Sequence, residues 1–372
     1  SPGQTGSAYS VVVDGVLLPV IALRHWCDVR KLKTAIKPAA HGSDLTRAMA
    51  RYGDKDWLDL SSAVSPYSWW AERADDVFFP AVESQALPEV KESLREAIVA
   101  YYGEPGLPTA GSQAAIRSLP LCFDECAVWV VRGSYGEHAL SWAMHGHHVQ
   151  QKSIEDIRHS LQAGDAPDVL IVVNPDNPTG YYFSQPELFE WASVLEKRGG
   201  VLICDEAFMD ATRHLSLLGE HRPENTIVLR SLGKFFGLAG IRFGTVFAES
   251  GMLATLSSYL GPWSLSSLTL NIAECALKDR AWQSTQKIRL AELQQRMTIP
   301  LRDDASFAGS TPLFMTLRTE FPLLWQDCLA SRGIWSRAFP DQGLLRLGYP
   351  LPDQVGRILD EVLALPGLKA FH

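Results

Sequence analysis

The 372-residue chain reads as an α/β protein built on a mostly parallel sheet that is covered by helices on both faces. Three observations predict it. Short apolar runs of strand length recur through the middle of the chain, stretches of helical length lie between them, and the polar clusters able to carry chemistry follow those runs. A strand that is apolar at every position needs cover on both faces, and interposed helices supply it. In such sheets a ligand sits beyond the carboxyl ends of the strands.

Residues 1–10 are rich in Gly and Ser and read as either a processed end or a non-native extension. The apolar stretch 11–22 is interrupted by Asp14 and closed by Arg24-His25. It is too short and too polar to span a membrane and has no preceding basic region, so a strand or arm is expected there. Between about residues 72 and 280 the strand-like runs are 126–131, 169–173, 201–204, 226–229 and 244–248, with a helix expected over 185–197. Residues 274–295 are compatible with a helix. From 305 to 372, strands at 314–317 and 344–347 alternate with two helices, and no internal repeat or low-complexity tract interrupts the pattern.

Four clusters carry the chemistry. Ser231-Leu-Gly-Lys234 continues through Phe235-Phe-Gly-Leu-Ala-Gly-Ile241 to Arg242, and sets one lysine between a hydroxyl and a cation in a glycine-rich turn. A lysine so placed can form a Schiff base. Asn174-Pro-Asp-Asn177-Pro-Thr-Gly180 follows the run 169–173 and reads as a tight polar turn at a strand end. Cys204-Asp205-Glu206-Ala207-Phe208 delivers a carboxylate at the end of another buried strand. Thr109-Ala-Gly111-Ser112-Gln113 opens a helix, where free N–H groups favour a phosphate. Together they describe a site for a phosphorylated cofactor.

In order and spacing these clusters, spread over roughly residues 109–244, resemble the fold-type I pyridoxal-phosphate enzymes of the aminotransferase superfamily. The resemblance implies a large cofactor-binding domain over 72–280 and a smaller α/β domain formed by a C-terminal part, 281–372, together with the N-terminal arm and its continuation, 1–71. It implies pyridoxal 5'-phosphate as cofactor, bonded to Lys234 as the catalytic residue. Asp205 would hold a proton on the pyridine nitrogen and Asn177 would donate to the ring oxygen. Gly111, Ser112, Gln113, Ser231 and Arg242 would bind the phosphate, and Tyr135, in Gly133-Ser-Tyr-Gly136, would stack on the ring. Many relatives carry Tyr three positions after the Asp, whereas this chain has Phe208.

Substrate residues are expected elsewhere. Arg346 resembles the superfamily arginine that takes the substrate α-carboxylate, and Arg337 resembles the residue that meets a substrate phosphate in histidinol-phosphate aminotransferases. Near the N-terminus, His41-Gly42-Ser43-Asp44-Leu45 followed by Trp57-Leu-Asp59-Leu-Ser61-Ser-Ala-Val-Ser65-Pro66 is similar to a pattern of the threonine-phosphate decarboxylases of cobalamin biosynthesis, with Ser43 in place of a second Gly. That branch implies decarboxylation of L-threonine O-3-phosphate, with His41 and Gly42 among the substrate residues. An aminotransferase acting on histidinol phosphate is the alternative, and a catalytically silent binding protein of the same fold a more distant one. The resemblance also implies a homodimer.

Composition fits these expectations. Hydrophobic residues make up 46% and charged ones 20%, and the net charge of −8 offers no basic surface for nucleic acid. An anionic substrate therefore needs local arginines. The cysteines at 27, 122, 126, 204, 275 and 328 form no CxxC or zinc spacing, which reads as reduced, cytoplasmic usage. The histidines at 145, 147 and 148 lack matching Cys or carboxylate spacing, and a packed or solvated turn is expected there rather than a metal site.

Overall fold

A computed structural model describes residues 10–13, 16–19, 44–219 and 221–368. The chain divides into two compact units, Ser1–Pro38 and Ala39–His372. In the first, β1 (Ser10–Val13) pairs antiparallel with β2 (Val16–Pro19), Val13 opposite Val16. The single strand or arm expected over 11–22 is therefore a hairpin.

In chain order the strands of the second unit are β3 (Leu58–Asp59), β4 (Leu107–Thr109), β5 (Ala127–Val131), β6 (His148–Lys152), β7 (Val169–Val173), β8 (Val201–Asp205), β9 (Thr226–Ser231), β10 (Gly244–Phe247), β11 (Phe307–Thr311), β12 (Phe314–Arg318), β13 (Ile334–Trp335), β14 (Arg337–Phe339) and β15 (Leu344–Gly348). The main sheet runs β4-β10-β9-β8-β7-β5-β6. Neighbours from β9 to β6 are parallel, and β10 is antiparallel to both β9 and β4. β7 and β9 are buried at every position, as strands covered on both faces require. β6 escapes the apolar pattern. Its sequence, HVQQK, is half-exposed and polar because it forms the sheet edge.

Register sets the strand ends side by side: Val173 pairs with Asp205, and Asp205 with Leu229. A second sheet, β11-β12-β15-β14, is antiparallel throughout. It touches the 174–180 turn, where Thr316 Oγ1 donates to Pro178 O at 2.5 Å. β3 pairs parallel with β13 and so ties residues 58–59 to the C-terminal part of the chain.

Two helices, Ser267–Lys278 and Arg280–Thr298, replace the single one expected over 274–295. Asp279 breaks it. Its carboxylate accepts from Trp282 N at 3.0 Å as an N-cap, and also from Trp69 Nε1 and Arg73 Nε. The expected helix over 185–197 is present as Gln185–Glu196, capped by Ser184. Around His145–His148, the helix Glu137–Met144 ends, Gly146 takes φ of 91°, and His147 is buried with its Nδ1 3.3 Å from Cys126 Sγ.

Candidate active site

The backbone that carries Lys234 is fixed from several sides. Ser231 Oγ accepts from Gly233 N at 3.2 Å, and Ser65 N donates to Lys234 O at 3.0 Å. Phe235 and Phe236 are buried against Trp282, Phe236 stacking on the indole at 5.6 Å. Gly237 has φ of 62°, and a Cβ there would stand 2.4 Å from Tyr67 O, so this close approach requires glycine.

With its backbone anchored, Lys234 turns into a cleft. Nζ donates to Ser62 O at 2.8 Å and lies 5.2 Å from the centre of the Phe208 ring. Burial, then the charges of Arg346 and Arg242, pull its pKa down to about 7, with Asp205 acting in the opposite direction. A large part of this amine is therefore uncharged near neutral pH. That is the state a nucleophilic lysine needs.

Asp205 closes β8 and is almost fully buried. One carboxylate oxygen accepts from Ala207 N at 3.1 Å, and the other lies 2.9 Å from Nε2 of the buried His138. The Tyr135 ring stands edge-on to His138 at 6.1 Å, and its hydroxyl donates to Gln113 Oε1 at 3.1 Å. Gln113 is held in turn by Glu137, which accepts from its amide at 2.6 Å. Burial, then Asp205 and Glu137, push the Tyr135 phenol up to about 12.

Arg346 and Arg337 face one another directly across β15 and β14. Arg346 Nη1 donates to Asn177 Oδ1 and Nη2 to Ser61 O at 2.5 Å, while Nε is buried without a hydrogen-bond partner among the described residues. Its guanidinium lies 5.4 Å from the Phe314 ring and 5.8 Å from that of Phe339. Burial, then Arg337, lower its pKa to about 9, and burial lowers that of Arg337 as well. Like charges placed opposite on paired strands repel, and an anion between them relieves the cost.

Arg242 adds a further cation. It adopts the left-handed conformation, φ 58°, and its guanidinium lies where a Cβ on Gly111 would come within 2.7 Å of Nη2. Gly244 fits β10 beside the same loop, since a Cβ there would stand 2.6 Å from Ser112 N. Gly111 and Ser112, distant from Arg242 in the chain, thus share one corner with it.

The structure gathers the residues picked out in the sequence through these contacts: Gly111 and Ser112 with Arg242, Gln113 with Tyr135, Asn177 with Arg346, and Lys234 between Asp205, Arg242 and Arg346. Ser231 holds the start of the lysine loop, and Arg337 borders the cleft through Arg346. His41 and Gly42 lie outside the described residues. Three contributors had no sequence signal of their own: His138, a lone histidine inside a helix, and the main-chain carbonyls of Ser61 and Ser62.

Strand ends that carry Asp205, Asn177 and Lys234 above a mostly parallel sheet define an α/β transferase-like enzyme, and the chain belongs to the aminotransferase class I and II family, whose model matches residues 70–359. Within it the chain is 41% identical over 330 residues to the threonine-phosphate decarboxylase of Pseudomonas aeruginosa, covering 87% of this chain and 96% of that protein. It is 35% identical over 344 residues to a threonine-phosphate decarboxylase of Sinorhizobium sp., covering 88% and 98%. Among solved structures, the fold is similar to the histidinol-phosphate aminotransferase from Sinorhizobium meliloti in complex with pyridoxal-5'-phosphate, with a TM-score of 0.71 at 18% identity over 89% of this chain and 98% of that one.

Proposed function

We propose that this chain is a pyridoxal-phosphate-dependent decarboxylase that converts L-threonine O-3-phosphate to (R)-1-amino-2-propanol O-2-phosphate and carbon dioxide, a step of cobalamin biosynthesis. The single observation that carries the reading is the extended similarity to two threonine-phosphate decarboxylases over nearly their whole lengths. The cleft agrees with it. Two arginines side by side at one wall suit a substrate bearing both a carboxylate and a phosphate.

The residues present fit the cofactor. The bare Cα of Gly111 leaves Arg242 free to approach the loop, Arg346 is buried opposite Arg337 with a lowered pKa that an anion would relieve, and Lys234 is poised near neutrality. We assign Lys234 as the residue bonded to the cofactor, with Gly111, Ser112, Gln113, Ser231 and Arg242 at its phosphate, Asp205 at its ring nitrogen, Asn177 at its ring oxygen and Tyr135 on its face. When bound, pyridoxal phosphate supplies an electron sink for the pair left at the substrate Cα.

The chain's own groups then divide the work. His138 fixes the Asp205 carboxylate, so that its charge meets a protonated ring nitrogen. Arg346 takes the substrate carboxylate and Arg337 the phosphate, and two separated anchors set which bond at Cα stands across the ring face. A carboxylate clamp alone would stabilise the ground state, so the phosphate anchor carries the orienting role. Lys234 Nζ, in its ammonium form, would deliver to Cα the proton that takes the place of the departing carboxylate. Phe208, without a hydroxyl, leaves Asn177 as the side-chain donor assigned to the ring oxygen.

A homodimer in the cytoplasm belongs to the same reading, as does the division of the chain at residues 72 and 281. Among the described residues no helix is long and apolar enough to cross a membrane. The test is a substrate comparison. Purified protein with pyridoxal phosphate is given L-threonine O-3-phosphate, or histidinol phosphate with 2-oxoglutarate. Release of carbon dioxide from the first without 2-oxoglutarate is expected. Turnover of histidinol phosphate dependent on 2-oxoglutarate, with no carbon dioxide from the first, overturns the reading in favour of an aminotransferase.

A further inference from the structure

Lys234 and Arg346 come from different sheets, yet both are held by consecutive carbonyls of one turn: Ser62 O takes Lys234 Nζ at 2.8 Å and Ser61 O takes Arg346 Nη2 at 2.5 Å. A peptide carbonyl points where its backbone is fixed, so something must fix this turn. Leu60 does so on one side, its N–H donating to Trp335 O at 2.8 Å and its carbonyl accepting from Gly348 N at 2.7 Å. On the other side Ser65 N donates to Lys234 O, and Ser65 Oγ accepts from Gln286 Nε2 at 2.7 Å. Between them Ala63 is buried with φ of 51°, a conformation that a non-glycine residue keeps only when its surroundings impose it.

The remaining constraint is Asp59. Its Oδ1 accepts from Ser61 N at 2.9 Å and from Ser61 Oγ at 2.6 Å, and so closes the turn just ahead of the two carbonyls. We propose that Asp59 is a positioning residue that aims the Ser61 and Ser62 carbonyls into the cleft, where they set the positions of the substrate-binding Arg346 and the cofactor-binding Lys234. The inference rests on the roles assigned to those two residues above. It makes the segment 59–65 a part of the site through main-chain atoms. One turn thereby couples the carboxylate anchor to the amine.

The effect on each cation has a definite sign. A carbonyl that accepts from an ammonium favours its charged form, so freeing the Ser62 carbonyl makes Lys234 lose its proton at lower pH. Freeing the Ser61 carbonyl loosens Arg346 and weakens substrate binding more than turnover.

The experiment compares Asp59→Ala with Asp59→Asn, which keeps the acceptor without the charge. The first readout is the pH midpoint of Lys234, followed in cofactor-free protein by the yield of an amine-reactive label on the Lys234 peptide. The second is KM for L-threonine O-3-phosphate in the loaded enzyme. Asp59→Ala is expected to lower the midpoint by about one pH unit and to raise KM roughly tenfold with a smaller change in kcat. Asp59→Asn is expected to keep the wild-type midpoint, which separates the lost acceptor from the lost charge. A wild-type midpoint and KM in Asp59→Ala overturn the proposal, as does an equal shift in Asp59→Asn. If Asp59→Ala does not fold, Asp59→Glu, whose acceptor is displaced by one methylene, is expected to shift the midpoint the same way, and an unshifted midpoint there overturns it. Failure of the assigned roles themselves appears differently, as absence of carbon dioxide release from L-threonine O-3-phosphate by the wild type.

Discussion

Asp205 and Glu206 are neighbours in the chain, as are Arg230 and Ser231, yet they belong to two buried charge clusters of opposite character. In the first, Arg230 donates to Glu206 Oε2 at 2.8 Å, to Asp210 Oδ1 at 2.5 Å and to Ser216 Oγ at 3.1 Å. Glu206 also accepts from Ser216 Oγ and Leu217 N, and Asp210 from Tyr101 OH. Two carboxylates surround one guanidinium. Against the downward pull of burial, Asp210 and Glu206 push Arg230 up, so it stays charged.

In the second cluster the balance reverses. Lys234 feels Arg346 and Arg242 more than it feels Asp205, Arg346 in turn feels Arg337, and the pKa values of Lys234 and Arg346 both fall below their ordinary values. In the first cluster two carboxylates hold their cation within the chain, whereas in the second the charges of Arg346 and Arg242 oppose that of Lys234. Burial alone therefore does not mark a working site. What sets this cluster apart is that its cations lower one another's pKa values.

Single substitutions separate the two clusters. Arg230→Met should leave Glu206 and Asp210 buried without their cation and cost about 3–5 kcal/mol of unfolding free energy, measured by denaturant titration. Arg346→Met removes an equally buried arginine but also a repulsion, and should change stability by less than about 1 kcal/mol. Its cost falls on function instead, with kcat/KM for L-threonine O-3-phosphate lowered roughly 100-fold. Equal losses of stability in the two variants would contradict the distinction.

The same variant sharpens the electrostatic claim. In wild type, attachment of the cofactor to Lys234 should quicken roughly tenfold per pH unit up to about pH 7 and then level off, because only the uncharged amine attacks. Removing the Arg346 charge favours the ammonium and should move that midpoint upward by less than about one unit. A midpoint that stays in place or falls would show that Arg346 is not part of the lysine's field.

The sequence made one kind of information plain and hid another. The runs 169–173 and 201–204 are apolar because both faces are covered, and the residues that follow them are polar because ligand-facing turns begin there. Periodicity and motif therefore pointed to the same places. β6 carried no such mark, since an edge strand exposed to solvent can be polar, and the break at Asp279 lay within an otherwise helical pattern. The Ser61 and Ser62 carbonyls were hidden for another reason: every residue has a carbonyl, and only the folded turn decides where it points. His138 is legible only once Asp205 is seen to need a partner. His41 and Gly42 keep their place as sequence expectations.

The most direct measurement of the working site is chemical. Protein loaded with pyridoxal phosphate is reduced with borohydride, which converts the bond between lysine and cofactor to a stable amine, then digested, and the tagged peptide is identified by mass spectrometry. The tag is predicted on Lys234 and absent in Lys234→Ala. A tag on another lysine in the wild type, or an undiminished tag in Lys234→Ala, would contradict the assignment of this cation-rich cleft as the active site.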